Sequence, residues 1–564
     1  MKKLLSISIA LALALSFSVV STTPVAAGGN TLEVGDGKTY ATIQAAIDDA
    51  SDGDTIHVYP GTYTEAADPG KTAVLINVPN LTLQAVDEHG DVIDATEHFE
   101  SPLVTIDADE AEIGVRATAE DLGSVTIEGF TVTNYSDGGV LGGRTGTTAN
   151  VLRNYVLPPE VTSRQPIQVA GPSPQVIGNR VKAAYLDSEG WAAAGILVVD
   201  AENALVQGNV VYGNDLADFG IAVANYWDGA VYGGISAVVN NTIGSNIVTG
   251  CGSGIVIQAV GGQVGTTTIV GNTITGGSDF GVDVWAINHD ITDVQIVGND
   301  IANNDVGIGT YDDGGAITGT QVHWNNIYDN LGYGVEHLAD EMLDATLNWW
   351  GDASGPSGEG SGTGDAVSAN VDFMPWLMEE DGAETTETDT ATGVDAEAST
   401  ENVSAEASGG NTDTTVSVGE YVGEPTGIDP GFVVNDLFFF DVHVSGTEPD
   451  ELVVEVKCPG SDCSGMVLKW FDGTSWQDVT PAAVDVNGVF QFTLDHESSP
   501  TIAELTGTPF GLGNPEPDPP PPVVVGWEGS PVNKAAVMAP WIALLAVLMA
   551  GAALLVVRRR RAEI

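Results

Sequence analysis

The sequence predicts an all-β chain whose main body, from about Thr31 to Leu377, is a parallel β-helix of stacked short strands. Three observations carry this. The motif Asn-x-(Ile/Val) recurs at Asn154, Asn179, Asn209, Asn241, Asn272, Asn299 and Asn325, in steps of 25, 30, 32, 31, 27 and 26 residues. A second motif, Gly-(Ile/Val), follows most of these at Gly195, Gly220, Gly254, Gly281, Gly307 and Gly334. The intervening runs, such as Gly254 to Ile257 and Thr268 to Val270, are short and β-branched, as strands buried on one face require. A fixed period of this size marks units that bury their apolar faces only by stacking. Propeller blades need about 40 residues or more, so the steps favour a coil. Asn tolerates left-handed backbone at tight corners, and stacked Asn side chains can bond to the next rung, which makes the recurrent Asn structural.

The elements follow in order. A charged start, an apolar run from Leu4 to Val20 and small residues up to Ala27 read as a secretory signal peptide, residues 1–27. Tyr40 to Ala50 places Ile43, Ala46, Ile47 and Ala50 on one helical face, a short helix covering the open end of the coil, and the strand Thr55 to Tyr59 starts the stack. At the far end Asn348 to Pro356 and Val371 to Leu377 supply aromatics and prolines that close the last rung. Residues 378–413, rich in Glu, Thr, Ala and Ser without aromatics, read as a disordered acidic linker. Residues 414–513 hold short strands separated by turns such as Asp472-Gly473 and Asn487-Gly488, a small antiparallel β-sandwich. Cys458 and Cys463 flank a short loop there as a candidate disulfide, while Cys251 reads as a small buried residue. A Pro-rich spacer, 514–536, leads to 537–557, which carries no charge and as a helix spans roughly 32 Å, enough to cross a bilayer. Arg558 to Arg561 then place the basic tail, 558–564, in the cytoplasm and the bulk of the chain outside.

Composition narrows the partners. With 78 acidic and 17 basic residues the formal charge is −61, which repels nucleic acid. Three cysteines in so long an exported chain leave stability to a large core.

The opening Thr42-Ile43-Gln44-Ala45-Ala46-Ile47, the segment Pro60 to Glu65, the Asn-x-Ile rungs and the closing Asn348 to Pro356 resemble the pectin-lyase-like right-handed parallel β-helix superfamily, with NosD-like surface and periplasmic proteins as the nearest branch. The resemblance spans roughly 345 residues and implies a right-handed, single-stranded coil. It says little about activity, because this superfold carries lyases, hydrolases, esterases, tailspikes and non-catalytic surface proteins.

The enzymes of that superfamily set definite chemical needs. β-Elimination needs a basic side chain and a cation for the sugar carboxylate, yet between Ala183 and Val456 there is no Lys or Arg. Arg180 and Lys182, near the first rungs, remain candidates. Glycoside hydrolysis needs converging carboxylates, for which Asp215 with Asp218, Asp279 with Asp283, and Asp312 with Asp313 are candidates in a chain where neighbouring aspartates also arise by chance. Of the four polygalacturonase motifs only an isolated Asp312-Asp313 is matched, and the downstream motifs of pectin methylesterases are missing. Trp191, Tyr226, Trp227 with Asp228, Trp285, Tyr311, Trp324 and Tyr333 recur beside Asp or Asn; sugar rings stack on such aromatics, so a groove along the coil is a candidate glycan site. The turns Asp215 to Asp218 and Asp300 to Asp305 are candidate Ca²⁺ holders, but neither has Ca²⁺-loop spacing and no metal is assigned. The expected function is a non-catalytic, membrane-anchored surface protein that binds polysaccharide or builds a surface layer, the alternative a tethered polysaccharide lyase or hydrolase.

Overall fold

The Asn and Gly repeats become the corners and one wall of a three-sided coil. The computed structural model describes residues 29–515 except 159–164, 184–193, 214–217, 227–236, 239–240, 245–246, 434–436 and 462. Among these, parallel sheets of 13, 12 and 10 strands form a right-handed parallel β-helix, and a four-stranded ribbon edges it. The stack begins one strand earlier than expected, at Thr31–Val34, which pairs with Thr55–Val58. Side chains of successive rungs align: Ile269, Ile296 and Val322 share one column and are fully buried. Each such burial contributes about 1.5–3 kcal/mol.

The corners divide their labour between two residues. Asn272 donates its backbone N–H and its Nδ2 to Asn299 Oδ1 (2.9 and 2.8 Å), Asn299 does the same to Asn325, and Asn325 to Asn348. A shorter ladder runs Asn154, Asn179, Asn209. The left-handed backbone expected of Asn falls instead on the residue before it: Gly178, Gly208, Gly271 and Gly298, and without glycine's freedom Arg153, Trp324 and Leu347, with φ between 53° and 64°. Asn241 is a correction. It opens the strand Asn241–Gly244 on the 13-stranded sheet, and the corner of that rung, just before Ile247, lies outside the described residues. The Asn-x-Ile pattern also fits a strand start, which is why spacing alone misassigned it.

The Gly motif has a steric cause. Gly220, Gly254, Gly281 and Gly307 stack at the inner start of the 12-stranded sheet, where a Cβ on Gly281 would lie 2.6 Å from Gly307 O and 2.8 Å from Ile301 Cγ2. The Ile of each Asn-x-Ile corner therefore fills the space that the glycine vacates.

The ends are capped. Helix Ile43–Asp49 starts at Thr42, whose side chain accepts from Ala45 N, and buries Ile43, Ala46 and Ile47 over the first rung. At the other end Trp350 and Trp376 are buried, and the Trp376 indole donates to Ala353 O at 2.9 Å. The cap continues into the following domain, because Met378, Tyr421 and Phe439 join the coil core.

That domain consists of antiparallel sheets of six and five strands among the described residues, and it overturns the linker reading. Strands Thr385–Thr392, Glu397–Ser399 and Val403–Ser408 fall inside 378–413; the first and third pair with sandwich strands, and the second pairs with the third. Their alternation is real but uses alanine as the apolar residue: Ala398, Val403, Ala405 and Ala407 are buried between polar neighbours. Cys458 and Cys463 form a disulfide, and Cys251 is buried outside any disulfide. The expected signal segment, proline spacer, span 537–557 and basic tail lie outside the described residues, among which no helix is long and apolar enough to cross a membrane.

Candidate functional site

The 12-stranded sheet turns one set of alternating side chains into the core and the other outward. On Phe280–Ile287 the core takes Val282, Val284 and Ala286, which leaves Asp283 and Trp285 on the outer face. The register aligns Gln258, Trp285 and Tyr311 in one row, and Val256, Asp283, Gly309 and Glu336 in the next.

Polar contacts tie the rows together. Tyr226 donates its hydroxyl to Gln258 Oε1 (2.8 Å), and Tyr311 donates to Glu336 Oε2 (2.6 Å). Phe280 meets Tyr311 edge-on, ring centroids 5.3 Å apart. These two rings close over Gly309, where a Cβ would come within 2.7 Å of both. Asp283, its neighbour in register, is only 5 % exposed, and its Oδ1 has no hydrogen-bond partner among the described residues. Burial, with the charge of Asp279 adding to it, pushes the Asp283 carboxyl up to about 7. Burial, the bond to Glu336 and the Asp283 charge likewise raise the Tyr311 phenol.

The candidates fare differently. Trp285, Tyr311, Asp283 and Tyr226 come together on this face. Asp312 and Asp313 end the strand Val306–Asp313; Asp312 accepts from Asp340 N (3.2 Å), and Asp313 is exposed. Lys182 lies on another sheet, in the strand Arg180–Lys182, four rungs or about 19 Å before the level of Asp312. Asp218 is described, whereas Asp215, Trp191, Trp227 and Asp228 lie outside the described residues. Trp324 occupies a left-handed corner. Gln258, Phe280 and Glu336 were missed. Aligning the repeats on the Gly motif would have found Gln258 and Glu336, because the second and fourth residues after each glycine face outward.

Among the described residues no group of three or more His, Cys, Asp or Glu side chains is placed to hold a metal ion, in the Asp300 to Asp305 turn or elsewhere.

The family model described as "Periplasmic copper-binding protein (NosD)" matches residues 162–345. The described donor sets do not fit a copper site. No curated protein resembles the chain in sequence. Among solved structures the chain is similar to the Dettilon tailspike protein (13 % identity, 86 % of this chain and 93 % of that one, TM-score 0.37). It is also similar to the A-module of the Azotobacter vinelandii mannuronan C-5 epimerase AlgE6 (16 %, 59 % and 94 %, 0.37) and to pectate lyase Pel9A (13 %, 64 % and 83 %, 0.27). None of these three bears on what the chain does. The in-register parallel rungs and three walls give the coil the fold of a right-handed parallel β-helix, and the family match lies within it.

Proposed function

We propose that this is an exported, membrane-tethered surface protein whose 12-stranded sheet holds a neutral glycan on its outer face, as part of the cell-surface layer. The observation that carries the reading is the aligned row Gln258, Trp285 and Tyr311, with the Glu336 carboxylate beside it. Neighbouring rungs are about 4.8 Å apart, close to the length of a sugar ring, so the row offers aromatic surface and hydrogen-bonding groups at saccharide spacing. The lack of Lys and Arg from 184 to 456 fits an uncharged ligand better than a polyanion. Affinity electrophoresis of the full chain in neutral polysaccharides tests it: Trp285→Ala is expected to weaken retention about tenfold. Retention unchanged in both Trp285→Ala and Tyr311→Ala removes the site. Tethering is tested by fractionation, where deleting 537–564 should release the protein from membranes.

One observation favours a second reading, a tethered glycoside hydrolase. A carboxyl held near 7 at Asp283 is a proton donor at neutral pH, and Glu336 is a carboxylate two rungs away, about 9.6 Å along the coil, near the separation of inverting enzymes. New reducing ends that vanish in Asp283→Asn would establish hydrolysis. Binding without reducing ends on any polysaccharide tried would leave the binding reading alone.

A further inference from the structure

The outer face of the 10-stranded sheet carries a feature that the glycan row does not use. Arg180 and Lys182 are two residues apart on one strand and so point to the same side. The Arg180 guanidinium is stacked between two aromatic rings, 4.4 Å from the Phe99 centroid and 4.9 Å from that of Tyr212. Tyr155 completes the surround: its hydroxyl is 3.1 Å from that of Tyr212, and its ring meets Phe99 edge-on at 6.3 Å. Lys182 is in register with Tyr212.

This face gathers two cations on one strand. In a chain of formal charge −61, Lys38, Arg144 and Arg153 each pair with a carboxylate, Glu33, Glu120 and Glu128. Arg180 and Lys182 have none among the described residues, and Arg180 Nε is buried without a hydrogen-bond partner. Stacking holds the guanidinium plane and leaves its Nε–H without a partner among the described residues, which suits a planar anion. Phe99, 40 % exposed, keeps ring surface open beside it. The general repulsion of the chain selects against polyanions and leaves room for one local negative charge.

We propose that Phe99, Tyr155, Arg180, Lys182 and Tyr212 form a second binding site, which takes a single acidic sugar unit on an otherwise neutral saccharide. Arg180 and Lys182 hold the anionic group, and the Phe99 ring packs against the pyranose. This site is independent of the Trp285 row, and its ligand differs in charge.

Titration calorimetry on the full chain tests it with three probes: a trisaccharide ending in glucuronic acid, the same trisaccharide ending in glucose, and inorganic sulfate. The acid-ended sugar is expected to bind at least about tenfold tighter than the glucose-ended one, and the advantage to shrink at high salt. Lys182→Gln should weaken it roughly tenfold and Lys182→Glu should remove it, while Trp285→Ala leaves it unchanged. Arg180→Lys keeps the charge but loses the planar fork, and should also weaken binding with an unchanged melting profile. Equal binding of the two trisaccharides, or full affinity in Lys182→Glu, overturns the proposal. Sulfate binding as tightly as the acid-ended sugar overturns the saccharide assignment. Loss of acid-sugar binding in Trp285→Ala would assign it to the other face and overturn the second site.

Discussion

The coil and the sandwich are both all-β, but they satisfy their polar groups in different ways. In the coil, buried Asn side chains bridge rung to rung, so one residue serves up to four partners: Asn299 accepts from Asn272 N and Nδ2 and donates to Ile269 O and Asn325 Oδ1. In the sandwich, backbone ladders of antiparallel strands do most of this work and side-chain pairs are local, such as Thr390 with Ser417 at 2.9 Å. A repeat architecture thus concentrates its polar energetics in few residues, whereas the sandwich spreads them.

The difference can be broken most forcefully at Asn299. Replacing it by Leu takes the Oδ1 acceptor from the buried Asn272 N–H and from its amide, which keeps Val270 O, and the Nδ2 donor from the Ile269 carbonyl; at about 1–3 kcal/mol for each such bond the loss should reach about 4 kcal/mol. The matching change in the sandwich, Ser417→Ala, should cost under about 1 kcal/mol, because Thr390 keeps its contact with Val416 O. Urea unfolding of both variants measures the contrast. Equal losses would refute the concentration argument.

Gly281→Ala probes the same wall by overpacking and should cost about 1–3 kcal/mol, since the added methyl meets a backbone carbonyl that cannot yield without shifting the next rung. Gly473 in the sandwich has no atom within 4 Å of its Cβ position, but its φ of 88° makes alanine strained there too, so that cost of about 1 kcal/mol is backbone strain alone. A crystal structure of Gly281→Ala should show a displaced Gly307 carbonyl. An undisturbed wall would mean that the glycine column has another cause.

These residues also explain what the sequence could reveal. The corners were legible because Asn and Gly recur at a fixed step for reasons of hydrogen bonding and close approach. The strands at 385–408 were not, because alanine is only weakly apolar and a run of Glu, Thr, Ala and Ser has the composition of a linker whatever its alternation. The individual aromatics and carboxylates of the candidate site were visible, but its pairing of Tyr311 with Glu336 and its burial of Asp283 depend on register, which residue type alone does not give.

The smallest expected effect concerns buried carboxyls, which the two regions share. Asp441 in the sandwich is fully buried; Tyr421 donates to its Oδ2 at 2.8 Å, its Oδ1 has no hydrogen-bond partner among the described residues, and burial pushes it up to about 7 despite the tyrosine. The folded state therefore holds this proton more tightly than the unfolded chain, whose carboxyl titrates near 3.8. Its stabilising contribution is full below that value and is lost as pH rises toward about 7. Two residues along, His443 works in the opposite sense. Burial lowers its pKa against the pull of Asp352, 3.8 Å away, so the unfolded chain protonates first and stability rises with pH through the window below 6.5. The two slopes partly cancel in the native protein. Asp441→Asn removes the falling term, so between about pH 5 and 6 the variant should gain about 1 kcal/mol relative to the native chain. Asp283→Asn should give a gain of the same sign in the coil, because there too it is burial that raises the carboxyl. Urea midpoints at several pH values decide it: a gain in the coil and not in the sandwich would mean that the Tyr421 hydrogen bond outweighs burial at Asp441, whereas at Asp283 the charge of Asp279 acts with burial, and so would sharpen the difference between coil and sandwich down to a single hydrogen bond.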